Sequence, residues 1–178
     1  MIILIGASAS GKTVIGKYLI DTYKFNKFVT TTTREMRVGE KNDVDYHFVS
    51  IDEFLKRIKN NAFVEFVQYN NHYYGSQKSE IDNNKVLIIE AKGLDSYLNL
   101  KDKNIVTFYF ECSEDIRKSR MIERGDNIID IEKRLKVDKE LFSDSIKKKV
   151  DYIINSENKK IEEIGDYIYK LYKEKMEN

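Results

Sequence analysis

The sequence contains no proline, no tryptophan and a single cysteine among its 178 residues. One cysteine, Cys112, excludes an internal disulfide and is typical of a protein from a reducing compartment. The 31 lysine and arginine residues are balanced by 30 aspartate and glutamate residues. The chain therefore lacks the excess of positive charge that is typical of nucleic-acid and membrane-surface binding, and we expect neither kind of partner.

Long hydrophobic runs are also missing. No segment approaches the roughly 20 apolar residues of a membrane-spanning helix. The apolar start, MIILIGASASGKT, is short and lacks the basic front and the cleavage site of a signal peptide. Together with the cysteine content, these absences predict a cytoplasmic protein. The length suits one domain with a sizeable core, or one core with small appended subdomains.

What is present is an alternation of apolar runs and helical patterns. Runs typical of strands buried in a parallel sheet occur at 2–6, 86–91, 105–111 and 151–156. A helix is predicted over about 12–23, and the last helix carries one apolar stripe formed by Ile161, Ile164, Ile168 and Leu171. Strands alternating with helices indicate an α/β fold with a parallel sheet.

Two segments depart from this alternation. Residues 31 to about 80 mix aromatic and polar residues around the short helical segment SIDEFLKRIKNN, which predicts a small mixed subdomain inserted into the core. Residues 114–148 are helical, charged and rich in arginine, which predicts a helical lid over something negatively charged.

The segment GASASGKT matches the phosphate-binding pattern G-x-x-x-x-G-K-S/T, and it follows a buried strand and opens a helix. In such a loop the backbone N–H groups wrap a phosphate chain, and the helix N-terminus adds partial positive charge. Lys12 is predicted to reach the β and γ phosphates, and the Thr13 hydroxyl to ligate Mg²⁺. The complete predicted loop comprises Gly6, Ala7, Ser8, Ala9, Ser10, Gly11, Lys12 and Thr13.

A phosphate-binding loop alone does not separate a nucleotide hydrolase from a kinase. Arg34 and Arg37 lie three residues apart, and Tyr46 follows, so these side chains could form a second anion cradle for a phosphorylated acceptor. Taken alone, they could equally be two solvated arginines in a turn with a packed tyrosine.

Longer motifs decide between these readings. The segment TTREMRVGEKNDVDYHF, residues 32–48, resembles the guanylate kinase signature T-T-R-x-P-R-x-G-E-x-x-G-x-D-Y-x-F, with Met36 in place of proline and Asp43 in place of glycine. FVEFVQYNNHYYGS resembles the next family segment, IIEAKG its acidic strand, and RMIERG the arginine pattern of its lid. Ile88 and Lys92 depart from the acidic and glutamine residues that are usual there. The resemblance covers nearly the whole chain.

Membership of that family would imply ATP and GMP as substrates, with Mg²⁺ as cofactor. The GMP site would comprise Thr30, Arg34, Arg37, Tyr46, Glu65, Tyr74, Gly75, Ser76 and Glu90. The phosphate would be held by the arginines and tyrosines, and guanine would be read by Glu65, Ser76 and Thr30. Asn155 would lie near the adenine. The residues acting directly on the transferred group would be Lys12, Arg34, Arg120, Arg124 and Arg134.

These observations predict a P-loop three-layer α/β core (1–30, 81–113 and 149–178), a GMP-binding subdomain (31–80) and a lid (114–148). The predicted activity is ATP-dependent phosphorylation of GMP, and of dGMP, by a monomer or homodimer. Two alternatives stay open at this point. One is a kinase of the same build acting on another phosphorylated acceptor. The other is an inactive guanylate-kinase-like interaction domain, which typically erodes the phosphate-binding loop that is intact here.

Overall fold

The computed structural model describes residues 1–177. Within that range the strands are β1 (Ile2–Gly6), β2 (Asn26–Lys27), β3 (Thr31–Thr32), β4 (His47–Phe48), β5 (Phe63–Tyr69), β6 (His72–Gln77), β7 (Lys85–Ile88), β8 (Val106–Glu111) and β9 (Tyr152–Asn155). The helices are α1 (Lys12–Tyr23), α2 (Ile51–Lys59), α3 (Leu94–Leu98), α4 (Glu114–Glu123), α5 (Ile128–Leu141), α6 (Asp144–Lys147) and α7 (Ile161–Glu177).

The larger sheet has five strands in the order β2-β7-β1-β8-β9, and every neighbouring pair is parallel. Strand β1 lies in the centre, where both of its edges are hydrogen-bonded and all five of its residues are buried. A continuous apolar run is therefore the appropriate sequence for this strand. The α/β fold class predicted from the sequence is confirmed.

Alternate residues of β1 enter different cores on the two faces of this sheet. Ile2 and Leu4 pack with buried residues of α1 and α7, whereas Ile3 and Ile5 pack with Leu94 of α3 and other residues on the opposite face. The period of two along the strand thus produces helix, sheet and helix layers.

The second sheet has the strand order β4-β3-β6-β5 and lies wholly between Thr31 and Gln77. Its own core is aromatic, since Phe54 of α2 stacks on Phe63 of β5 with ring centroids 4.4 Å apart. Helix α2 begins where the Ser50 side chain accepts a hydrogen bond from the Glu53 N–H at 3.1 Å. Four of the nine predicted acceptor residues, Glu65, Tyr74, Gly75 and Ser76, lie on this small sheet.

Helices α4 and α5 pack against each other through a separate apolar cluster of Met121, Ile131 and Leu135. Ala9 of the loop after β1 packs against the same cluster, so these helices lie directly over the predicted phosphate-binding loop.

The structure corrects two details of the sequence prediction. Strand β7 ends at Ile88 rather than at 91, because a 3₁₀ turn over Ala91–Gly93 follows Glu90. In α7, Ile161 is 41% exposed, and Tyr172 instead joins Ile164 and Ile168 in the core. The predicted last core segment runs to Asn178, which lies outside the described residues. No helix within residues 1–177 is both long and apolar enough to cross a membrane.

Candidate active site

The predicted phosphate-binding loop connects β1 to α1 at the carboxyl end of the central strand. A Cβ atom at Gly6 would lie 2.8 Å from the Phe110 carbonyl oxygen, so only glycine allows β1 and β8 to approach this closely. Gly11 has φ +98°, a conformation that suits glycine, and Ala9 has φ 59°. The loop therefore contains two left-handed residues just before α1 begins.

Lys12 lies inside this loop. Its Nζ donates hydrogen bonds to the carbonyl oxygens of Gly6 at 2.6 Å and Ala7 at 2.8 Å. Burial lowers the pKa of Lys12 to about 8, and the carboxylates of Glu90 and Asp138 oppose that shift. The influence of Glu90 indicates that the turn after β7, predicted to belong to the acceptor site, lies close to the phosphate-binding loop.

A cavity of about 520 Å³ lies beside the loop. The residues that line it are Ala9, Ser10, Gly11, Lys12, Thr13, Val14, Ile15, Arg120, Glu123, Arg124, Ser156, Lys159, Ile161 and Ile164. One part of the cavity is polar, where the loop meets Arg120 and Arg124. Val14, Ile161 and Ile164 make another part apolar, which suits the flat face of a nucleotide base. Asn155, predicted to lie near the adenine, does not line the cavity although its neighbour Ser156 does.

The three predicted lid arginines differ in their surroundings. Arg120 donates from Nη1 to the Ala9 carbonyl at 3.2 Å and from Nη2 to the Ser156 carbonyl at 2.9 Å, which holds α4 on the loop. Arg124 and Arg134 instead both contact Asp126, and the Arg134 contact measures 3.0 Å. Arg120 and Arg124 line the cavity, whereas Arg134 lies outside its lining.

At the predicted acceptor site, Arg34 already has an anionic partner. Its Nη2 and Nη1 atoms donate to the two carboxylate oxygens of Glu40 at 2.7 and 3.0 Å, a bidentate pair. The guanidinium also lies 5.5 Å from the ring centroid of Tyr46 and 5.6 Å from that of Phe48. Arg34 is therefore held in place rather than solvated.

Glu40 also accepts a hydrogen bond from the Arg37 backbone N–H at 2.7 Å. The Arg34 guanidinium, followed by this N–H, holds the pKa of Glu40 below its ordinary value. The Arg37 side chain itself is exposed, and Tyr46 and Tyr74 meet edge to face with ring centroids 6.2 Å apart. These two tyrosines and Arg34 form one surface.

Glu65 and Ser76 lie opposite each other on β5 and β6. The Ser76 hydroxyl donates to Glu65 Oε1 at 3.4 Å, a long contact. Burial raises the pKa of Glu65, and the Ser76 hydroxyl opposes that shift. The carboxylate also rests on Gly93, where an added Cβ would meet Oε2 at 2.8 Å. Glu65 is thus a confined carboxylate, not a surface glutamate.

The remaining predicted acceptor residues lie around this surface. The Thr30 carbonyl accepts a hydrogen bond from the His47 N–H at 2.8 Å, and Thr30 is half-buried. Gly75 faces the opposite side of β6 from Ser76, since an added Cβ there would meet the Phe63 ring at 2.8 Å. Gly75 therefore allows the aromatic core of the small sheet to form beneath the site.

Sequence reasoning missed several residues that the structure places at these sites. Glu40 was recognised only as part of a motif, without a role. Tyr97 of α3 is 1% exposed, and its buried hydroxyl makes no hydrogen bond although Ser76 and Glu65 are close enough to affect its pKa. Arg117 and Asp138 form a buried ion pair beside Ser8. A signal for Glu40 existed in its spacing to Arg34, whereas Tyr97, Arg117 and Asp138 come from distant segments.

The fold and the loop together define a class. A central parallel strand, a glycine-containing loop that encloses a lysine, and a helix that starts beside a nucleotide-sized cavity are the features of a P-loop phosphotransferase. The solved structure of guanylate kinase from Anaplasma phagocytophilum shares this fold with a TM-score of 0.66 at 23% identity, covering 98% of this chain and 84% of that chain. Shikimate kinase from Acinetobacter baumannii matches with a TM-score of 0.55 at 11% identity, which again shows the fold alone.

Sequence comparison identifies the family. The guanylate kinase family model matches residues 1–174. Guanylate kinase of Campylobacter jejuni (strain RM1221) is 33% identical over 172 residues, covering 89% of this chain and 82% of the relative. Guanylate kinase of Clostridioides difficile (strain 630) is 28% identical over 200 residues, covering 99% and 97%. The chain belongs to the guanylate kinase family, as the sequence motifs predicted.

Proposed function

We propose that this protein transfers the γ-phosphoryl group of ATP to GMP, which gives ADP and GDP. Family membership supports this reaction, and one structural observation carries it. Tyr74 and Ser76 lie two residues apart on β6, so their side chains share one face of the small sheet, about 7 Å apart along the strand. Tyr74 adjoins the Arg34 surface, and Ser76 adjoins Glu65.

This spacing suits the two ends of a nucleoside monophosphate. A confined carboxylate offers two acceptor oxygens in one plane, which match the N1 hydrogen and the 2-amino group of guanine. Ser76 and Thr30 are proposed to donate to the guanine O6 atom. Adenine presents no 2-amino group, and its N1 is an acceptor, so it would leave Glu65 without donors.

At the other end of the acceptor, Arg34, Arg37, Tyr46 and Tyr74 are proposed to hold the phosphate group. The rigid position of Arg34, fixed by Glu40 and two aromatic rings, means that little ordering remains when the phosphate binds. The nucleophile is a phosphate oxygen that is ionised at neutral pH, so the reaction requires no general base. The protein's contribution is then to orient two polyanions and to offset their repulsion.

On the donor side, Lys12 and the backbone N–H groups of the loop are proposed to hold the β and γ phosphates. Arg120 already contacts the loop, and Arg124 and Arg134 would leave or share Asp126 to reach the transferred group. This requires a movement of the lid, proposed to be 114–148, towards the proposed GMP-binding subdomain, 31–80. Closure would also exclude water and so limit hydrolysis of ATP.

Mg²⁺ fits this site as a companion of ATP rather than as a resident metal. Within residues 1–177, no group of three or more His, Cys, Asp or Glu side chains is placed to hold a metal ion. The Thr13 hydroxyl at the start of α1 lines the cavity and offers one ligand. One protein ligand is compatible with Mg²⁺, which takes its other ligands from phosphate oxygens and water. When bound, the ion would neutralise part of the phosphate charge.

The decisive experiment measures ADP release with ATP and a panel of GMP, dGMP, AMP, CMP and UMP. We expect GMP to be preferred over AMP by several orders of magnitude, because the confined carboxylate would be unpaired with adenine. The matched control is Lys12→Ala, which should retain the fold and lose most of the activity. A wild-type protein that phosphorylates AMP as well as GMP would contradict the proposed acceptor site. Unchanged activity in Lys12→Ala would contradict the proposed donor site.

A further inference from the structure

A buried ion pair lies between the two lid helices. Arg117 of α4 donates from Nη1 to Oδ2 of Asp138 of α5 at 2.8 Å, and their side chains are only 7% and 9% exposed. Charged side chains are rarely buried so fully, and a buried pair seldom adds net stability compared with apolar residues of similar volume. Folding stability alone therefore gives little reason for this pair.

Both members of the pair also bind the phosphate-binding loop. Asp138 accepts hydrogen bonds from the Ser8 backbone N–H at 2.9 Å and from the Ser8 hydroxyl at 3.3 Å. Arg117 donates to the Ser8 carbonyl oxygen at 3.3 Å. Ser8 is thus held through its N–H, its side chain and its carbonyl by one charge pair from the lid.

The backbone conformation of Ala9, the residue after Ser8, explains why the loop needs these contacts. Ala9 has φ 59°, a left-handed conformation that is unfavourable for a residue with a Cβ atom. Its carbonyl accepts a hydrogen bond from Arg120, and its side chain packs on the lid cluster of Met121, Ile131 and Leu135. The unfavourable backbone conformation of Ala9 is therefore maintained by contacts from the lid and not by the loop alone.

We propose that Arg117 and Asp138 are positioning residues for the donor nucleotide: the buried pair fixes Ser8 and thereby keeps the phosphate-binding loop in the shape that receives the ATP phosphates. The inference rests on the proposed function in that ATP is taken as the donor. The proposal adds that contacts from the lid maintain the conformation of the phosphate-binding loop in this chain.

The charges of the pair are arranged so that this hold does not repel the substrate. A lone carboxylate beside the loop would oppose phosphate binding, but Arg117 neutralises Asp138 at 2.8 Å. The two charges act on Lys12 in opposite directions, because Asp138 raises the pKa of Lys12 and Arg117 lowers it. The carboxylate can consequently accept the Ser8 N–H while adding little net negative charge to the loop.

The test compares Asp138→Ala, Arg117→Leu and the double variant Arg117→Leu/Asp138→Ala with the wild type. Each single variant leaves one buried charge without its partner, so its melting temperature should fall. The double variant removes both charges, so its melting temperature should recover most of that loss.

A merely structural pair would also recover ATP binding in the double variant. A positioning pair would leave the ATP KM and the Kd for ADP raised about tenfold, the equivalent of one lost hydrogen bond, with the GMP KM within about twofold.

Two further variants sharpen the result. Asp138→Asn keeps an acceptor for Ser8 and Arg117, so its ATP KM should stay within about threefold of the wild-type value. Val106→Ala removes buried volume where β1 and β8 begin, at the opposite end of the larger sheet from Ser8 and Ala9, so it should lower the melting temperature and leave the ratio of ATP KM to GMP KM unchanged. If Asp138→Ala fails to fold, the double variant decides.

Recovery of wild-type ADP affinity in the double variant would overturn the proposal, as would equal rises in the ATP and GMP KM values. Calorimetric measurement of ADP binding needs no acceptor. A wild-type protein that binds ADP but does not phosphorylate GMP would therefore overturn the proposed function and still leave the role of the pair testable.

Discussion

At the scale of single residues, Lys12 determines how the donor site should respond to pH. Burial lowers its pKa to about 8, and only its charged form attracts a phosphate group. We expect kcat/KM for ATP, measured at saturating GMP, to fall above about pH 8 and to approach a tenfold loss per pH unit. As pH rises, Lys12 loses its proton in the folded protein at a lower pH than in the unfolded chain. The cost of burying its charge, which lowers the free energy of unfolding, should therefore diminish between about pH 8 and the ordinary lysine pKa of 10.5.

The control for this prediction is Lys12→Arg, because arginine stays charged throughout the measured range. Its activity will be lower, but the decline above pH 8 should disappear. If kcat/KM of the wild type stays constant up to pH 10, the pKa of Lys12 is not lowered in the folded protein.

Glu65, the proposed guanine-binding residue, should also carry a cost in folding stability. Its pKa is raised by burial, so the ionised carboxylate is disfavoured in the folded protein. Glu65→Gln keeps the shape, removes the charge and replaces one acceptor by a donor. We expect GMP kcat/KM to fall about 10- to 100-fold and the ratio of GMP to AMP use to shrink. At pH 7 the same variant should melt at a higher temperature than the wild type, because a buried charge has been removed.

The stability gain of Glu65→Gln should depend on pH in a defined direction. As pH falls through the raised pKa, folded wild-type Glu65 takes up a proton before the unfolded chain does and gains stability. The difference in melting temperature between wild type and variant should therefore narrow in acid. A difference that stays constant from pH 7 to pH 4 would assign the gain to another cause.

At the scale of elements, α1 packs tightly on α7 where the Tyr18 ring meets Gly165. A Cβ atom added there would lie 2.2 Å from Cδ1 of the Tyr18 ring, whose hydroxyl bonds Asp166 at 2.7 Å. Gly165→Ala should lower the free energy of unfolding by about 1–3 kcal/mol through overpacking, measured by chemical denaturation. In a Tyr18→Ala background the same change should be neutral or stabilising by up to about 1 kcal/mol, because alanine favours helix over glycine. Equal losses in both backgrounds would exclude the ring as the cause.

Elements whose signals are contiguous in the sequence could be predicted well. β1 and α1 have the predicted bounds because an apolar run, a glycine-containing turn and a helical pattern follow one another directly. The apolar face of α7 was predicted less well, since periodicity alone cannot tell that Ile161 at the first turn lies beyond the packed core.

The structure also gives a physical reason for the glycine that is usual where Asp43 stands. The φ angle of Asp43 is 63°, which aspartate tolerates better than most residues.

The candidate site divides in the same way. The phosphate-binding loop could be located from the sequence because eight consecutive residues form it. Arg34 and Glu40 lie six positions apart within one motif, yet the motif alone does not indicate their ion pair. The contacts of Tyr97 with the Glu65 region and of Asp138 with Ser8 join distant segments, and neither propensity nor periodicity reports such proximity. Those residues required the three-dimensional structure.

At the scale of the whole molecule, the proposed reaction needs the proposed lid, 114–148, and the small sheet to approach each other. A compact chain of this length has a radius of gyration of about 16 Å. We expect small-angle scattering of the free protein to give a larger value, and a linked adenosine–guanosine oligophosphate to reduce it towards that limit. ADP alone should produce a smaller change, because it would occupy the proposed donor side only. Identical scattering with and without saturating linked ligand would contradict closure.

The aromatic rings next to Arg34 allow a fluorescent probe to be placed beside it. The Phe48 ring centroid lies 5.6 Å from the Arg34 guanidinium, and the chain contains no tryptophan. Phe48→Trp would therefore introduce a single indole fluorophore next to Arg34 of the proposed acceptor site, without background from any other indole. Because indole emission responds to nearby charge and hydration, rapid-mixing fluorescence could follow the arrival of the acceptor phosphate in real time, separately from the chemical step.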